Sequence, residues 1–190
     1  MRILHVTREH LSDRRYGLGK SLTPIIEALE HRGHVVRYFC QEDLSPIQRS
    51  RRDTHIHRLL GWPGVQGRQN RAQLISAMGE RLHMGWQAAK VTKRENYTHV
   101  HLHDPWMAWG YLLAAHYYRL KGIRWGITEH GFGCYSLATH DDGLRQGNRV
   151  QRLLRRLEAK ILAKAHWVVA PTASALASLV RDLALPEQPA

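Results

Sequence analysis

The sequence predicts an α/β domain with three layers: a mainly parallel sheet covered by helices on both faces. Three observations predict it. Short apolar, β-rich runs at 2–7, 35–40, 98–103, 123–128 and 167–170 alternate with longer stretches of helical spacing. Strands that alternate with helices pair in parallel, because each return crossing has room for a helix. The 190 residues, 43% apolar and 23% charged, are ordinary for a globular chain. A domain of that length hides roughly 70% of its unfolded surface, so it needs no staples.

Taken in order, the first run is a buried strand. After it, Gly17 and Gly19 open a helix whose apolar face is Leu18, Leu22, Ile25, Ile26 and Leu29, with Gly33 at its C-cap. Val35 to Cys40 is the second strand. Residues 41–68 have no clear period and carry Arg49, Arg51, Arg52 and Arg58 among Pro46, Gly61, Pro63, Gly64 and Gly67. They read as an irregular basic excursion. Helical spacing returns from 69 to 95, with Leu74, Ile75, Met78, Leu82, Trp86 and Ala89 on one stripe. The strand at 98–103 precedes a helix from Met107 to Lys121, which Gly122 stops. The strand at 123–128 leads into a Gly- and Asp-containing loop, 129–147. An amphipathic helix follows, with Val150, Leu153, Leu154, Leu157, Ile161 and Leu162 inward. After the last strand, Thr172 or Ser174 caps a helix running to about Leu183. Residues 1–185 are expected to form one domain, and 186–190 a tail or the start of a linker.

In an open parallel sheet, ligands bind beyond the carboxyl ends of the strands. The sequence delivers four groups there: Gly17, Gly19 and Lys20; His103 and Asp104; Glu129, His130 and Gly131; and Thr172. Glycines at a helix start let backbone approach an anion. Both common nucleotide motifs nevertheless fail by one glycine: Leu22 stands where a dinucleotide fingerprint needs Gly, and Arg14 where a phosphate loop does. His99, His101 and His103 share a strand face at about 7 Å per two residues. That spread fits core histidines better than a metal site, so no metal is expected. His130, at a strand end beside glycine, suits a group that donates to a substrate hydroxyl or exchanges a proton.

Lys and Arg number 28 against 16 Asp and Glu, a net charge of +12, which favours anionic partners. The helix around 145–164 concentrates this charge, and Arg149, Arg152, Arg156 and Lys160 are its candidate contacts with an anionic membrane surface. Stacking aromatics are sparse among the basic residues, so nucleic acid is not expected. Cys40 and Cys134 have no metal or redox spacing and fit a reducing compartment. The first apolar run is too short for a signal peptide, and no run is long enough to span a bilayer. The expected location is cytoplasmic, peripheral at the inner membrane face.

Four phrases in order resemble family-4 glycosyltransferases of the GT-B fold. They are Met1 to Thr7 followed by Leu29-Glu-His-Arg-Gly-His-Val-Val36; His99-Val-His-Leu-His-Asp104; Ile127-Thr-Glu-His-Gly131; and Ala165-His-Trp-Val-Val-Ala-Pro-Thr-Ala-Ser174. They leave out about 41–95. The resemblance implies a Rossmann-like, acceptor-side half of a GT-B enzyme. It implies transfer of a sugar from a nucleotide-sugar to a carbohydrate or lipid-linked acceptor, with retention of configuration and no bound metal or other cofactor. By the same resemblance His130 contacts the transferred sugar, Gly17 and Gly19 lie near donor phosphates, and Asp104 is an acid at the cleft. The donor would be held mainly by a C-terminal domain absent from this sequence, so this chain alone would be inactive. The loop departs from the family, with Asp13-Arg-Arg-Tyr16 in place of a glycine pair. Two readings of other classes stand beside this one: a non-catalytic module for anionic glycans or headgroups, and a phosphate-loop enzyme, against which Arg14 argues.

Overall fold

The computed structural model describes residues 1–12, 14, 17–141 and 143–185, without the Asp141 side chain. The elements run β1 (Arg2–Val6), α1 (Gly17–His31), β2 (Val35–Phe39), α2 (Pro46–Leu60), α3 (Gln69–Arg94), β3 (His99–Leu102), α4 (Pro105–Tyr117), β4 (Arg124–Thr128), α5 (Tyr135–Asp141), α6 (Asn148–Leu162), β5 (Trp167–Val169) and α7 (Ala173–Leu183). All strand pairs are parallel, in the order β2-β1-β3-β4-β5. Every predicted strand is present. This is a Rossmann-like α/β/α domain. Right-handed crossovers place α1 on the face opposite α3, α4 and α6, because the chain leaves β1 in one direction and later returns in the other.

One face of the sheet is an apolar layer, alternating along β1 and β3 with the histidines of the other face. Leu4, Val6, Val100, Leu102 and Ile127 are completely buried. Met84, Ala88 and Ala89 of α3 meet Met107, Ala108 and Tyr111 of α4 above them. Two glycines set how closely these helices approach. A Cβ on Gly85 would overlap the Met107 carbonyl oxygen, and one on Gly110 the Leu82 carbonyl oxygen. The stripe expected on α3 is thus rotated in part: Ala89 is buried as expected, Leu74, Ile75, Met78, Leu82 and Trp86 are only half-buried, and Met84, Gly85 and Ala88 face inward.

The irregular excursion expected at 41–68 is corrected. A short 3₁₀ turn at Gln41–Asp43 leads into the fifteen-residue α2. Ser45 caps it: its hydroxyl accepts from the Gln48 amide (3.3 Å), the Gln48 side chain accepts from the Ser45 amide (2.7 Å), and Pro46 takes the first position. Only Ile56 of α2 is buried, so no apolar period marks it. The loop expected at 129–147 likewise contains α5. Ile25 on α1, and Val150 and Leu153 on α6, are exposed although the spacing placed them inward. Thr172 is the cap of α7, accepting from the Ala175 amide (3.1 Å). The tail at 186–190 and loop residues Asp13, Arg15 and Tyr16 lie outside the described residues.

Candidate functional site

The sheet reverses its winding between β1 and β3, which in this strand order is where a crevice opens at the carboxyl edge. Arg8 follows β1 there, His103 and Asp104 follow β3, and Glu129 and His130 follow β4. A cleft of about 440 Å³ lies at this edge, lined by Arg8, Gln73, Ser76, Glu80, Arg81 and Leu144 among others.

Gly17 and Gly19 begin α1 as expected, and Lys20 is exposed beside them. Gly17 has φ +55°, a conformation glycine adopts without strain. The positive end of α1 is already engaged: the Leu18 amide donates to Glu9 Oε1 (2.9 Å). Gly19 is buried because the loop folds onto it; a Cβ there would collide with the Arg14 backbone.

Asp104, expected as a cleft acid, is 1% exposed, and its lone pairs serve the scaffold. Oδ1 accepts from the Trp106 amide (2.8 Å) and caps α4. Oδ2 accepts from Arg81 Nε and from the Tyr135 hydroxyl, both at 2.7 Å. Arg81 is the residue that lines the cleft, held by Asp104, Tyr135 and the Ala77 carbonyl. Sequence reading missed it, since an arginine within a helix resembles a solvated one. The available signal was Asp104 itself, an acid at the end of an apolar strand that demands a counter-charge.

The histidines do not string out along the strand. His101 and His103 stack with ring centres 4.6 Å apart, and His5 from β1 stacks on both at 5.2 and 5.3 Å. The expectation of well-separated rings is corrected: one nitrogen from each of the three lies within 4.8 Å of the others. The arrangement still suits hydrogen bonding better than ligation. His5 Nδ1 meets His103 Nε2 at 3.0 Å, His103 Nδ1 meets His130 Nε2 at 3.1 Å, and His101 Nε2 meets Thr128 Oγ1 at 2.6 Å. Metal ligands aim in-plane lone pairs at one point about 2 Å away. Rings stacked within 7° of parallel, like His101 and His103, aim theirs past one another. Burial pushes His5 down to about 4 and His101 to about 3, and holds His103 well below its usual range. His130 is exposed on its outer side; burial of the inner side lowers its pKa, and Asp104 opposes that.

Glu129, expected to touch ligand, is instead 1% exposed with Oε1 unpartnered. Burial, then Glu158 and Asp104, hold its carboxyl well above the usual range and favour the neutral acid. Gly131 is exposed next to His130. The loop they begin is pinned at its far end. Glu158 of α6, fully buried, accepts from the Tyr135 amide (2.7 Å), the Ser136 amide (2.8 Å) and the Ser136 hydroxyl. Asp182 of α7 accepts from the Cys134 amide (3.0 Å).

On the outside of α6, Arg149, Arg152, Arg156 and Lys160 are all exposed. Arg152, Arg156 and Lys160, four residues apart in turn, line a groove of about 360 Å³ against α7. Among the described residues, no helix is long and apolar enough to cross a membrane.

A search of curated proteins finds no match. A family model described as a glycosyl transferase 4-like domain matches residues 16–190, including the 41–95 stretch that the four phrases leave out. With that match spanning nearly its whole length, and with a parallel sheet whose switch-point crevice gathers the expected strand ends, the chain belongs to the glycosyl transferase 4-like family.

Proposed function

We propose that this chain is the acceptor-side domain of a retaining glycosyltransferase that uses a nucleotide-sugar and needs no metal. In such a transfer the bond from the anomeric carbon to the diphosphate breaks, and a bond to the acceptor hydroxyl forms. The acceptor proton leaves with the departing phosphate. The observation that carries the reading is His130, an exposed histidine at the switch-point edge of a chain with this family membership. It contacts the transferred sugar. The charge of Arg81 is answered by Asp104, so Arg8 is the cleft group offered to an anionic part of donor or acceptor. In this reading a C-terminal domain completes the donor site, and residues 1–190 alone bind donor weakly and do not turn over.

The test is nucleotide-sugar turnover by the chain joined to such a domain. His130→Ala is expected to lower kcat by roughly 10²-fold or more, as loss of a directly acting side chain does, with the unfolding midpoint nearly unchanged. Activity should persist after EDTA dialysis. If His130→Ala unfolds the domain instead, the residue is structural and the site assignment fails.

A second reading rests on the α6 groove, where Arg152, Arg156 and Lys160 would take anionic lipid headgroups. It predicts sedimentation with anionic vesicles that weakens as salt rises. Replacing these three by Glu should abolish it. No binding at low or physiological salt would end this reading.

A further inference from the structure

The three hydrogen-bonded rings, His5, His103 and His130, form one line from the core to the surface. Each link joins two ring nitrogens, so each needs one proton. Burial keeps His5 and His103 neutral, and a neutral imidazole has one N–H and one lone pair. Two consistent arrangements remain. If protons point inward, His130 Nε2–H donates to His103, and His103 Nε2–H donates to His5. That leaves His5 with its own proton on Nε2. If protons point outward, His5 Nδ1–H donates to His103, and His103 Nδ1–H donates to His130 Nε2. The proton of His130 then sits on Nδ1.

His5 Nε2 decides between them. It is buried and has no hydrogen-bond partner. The inward arrangement places an N–H in that position; the outward one places a bare lone pair. Among buried backbone groups, orphaned N–H are rarer than under-satisfied acceptors, and we carry that order over to this ring nitrogen. The outward arrangement is therefore preferred. It leaves Nδ1 of His130, the nitrogen away from His103, as an N–H donor.

We propose that His5 and His103 are positioning residues that hold His130 in its Nδ1–H tautomer, so that the ring offers a donor to the sugar or its departing diphosphate. The identity of that acceptor rests on the glycosyltransferase reading; the tautomer does not. The arrangement fits a site where negative charge develops on oxygen, since a fixed donor needs no reorganisation at the moment of transfer.

The experiment is two-bond ¹H–¹⁵N correlation of the histidine rings in the 190-residue chain at neutral pH, with His130→Ala used to assign the ring. The expected spectrum shows His130 protonated on Nδ1 and bare on Nε2. His103→Leu removes the donor that holds this form and should shift the His130 tautomer ratio toward Nε2–H by roughly fivefold to tenfold, the effect of one net hydrogen bond. His103→Asn, whose amide N–H replaces Nδ1–H, should restore it. A proton on Nε2 of His130 in the parent chain overturns the proposal. So does a His130 ratio that ignores His103→Leu. Zinc that shifts His5, His101 and His103 together, reversed by EDTA, also overturns it. Should His103→Leu fail to fold, the parent spectrum alone decides. If the tautomer is confirmed but no nucleotide-sugar is turned over by the two-domain protein, the functional reading fails and the histidine line stands.

Discussion

At Glu129 a carboxyl is buried with one oxygen unpartnered, and its folded pKa lies well above its ordinary 4.5. Protonation then stabilises the fold fully below about pH 4.5, and this contribution is lost as pH rises. Glu129→Gln should therefore be more stable than the parent at pH 7, with the advantage shrinking to nothing near pH 4.5. Urea midpoints at the two pH values check it. The same residue marks the limit of reading a site from sequence. Its place at a strand end was legible, because apolar runs show where strands stop. Its burial was not, because the carboxyls of Asp104 and Glu158 that raise its pKa come from separate elements, one of them in a later segment. The histidine line was half legible. His103 and His130 sit at readable strand ends, but the partner of His103 is 98 residues away in β1, and no local pattern reveals such a pairing.

Among the elements, α3 and α4 make the tightest pair, and glycine permits it. Gly110→Ala would drive a methyl group into the Leu82 carbonyl, and the backbone of a packed helix yields little. The expected loss is about 2–3 kcal/mol, read as a drop in Tm of roughly 5–10 °C. A mutant within a degree of the parent would show that the helices separate freely. Sequence reading found both helices but, Ala89 apart, placed the inner stripe of α3 wrongly, because it counted Leu, Ile, Met and Trp and passed over glycine. Close contact selects the smallest residue, which carries no hydrophobic signal. α2 was missed for a related reason: a helix with one buried side chain shows no period, and only Ser45, Pro46 and Gln48 announce it.

For the whole molecule, the buried histidines set the response to acid. His5 and His101 are held at about 4 and 3, below the ordinary 6.5. The unfolded chain takes up their protons first as pH falls, so their contribution to stability is complete above pH 6.5 and is lost from there toward pH 4. Each such group adds a slope of about 1.4 kcal/mol per pH unit in that window, opposite in sign to Glu129. Denaturation across this range is expected to show a net loss. A flat profile would mean the rings are hydrated. The global architecture was the most legible level, since alternation of strand and helix decides it with few alternatives. One link between distant parts emerges only at this scale. Glu158 sits on the inner side of the helix whose outer side carries Arg152, Arg156 and Lys160, and its carboxylate grips the first amides of α5 just beyond His130. The charged exterior and the histidine loop are thus fastened by one side chain, like a handle and a latch on a common bolt. Loss of the Glu158 side chain would leave the first amides of α5 without their acceptor and the loop that His130 begins without this anchor.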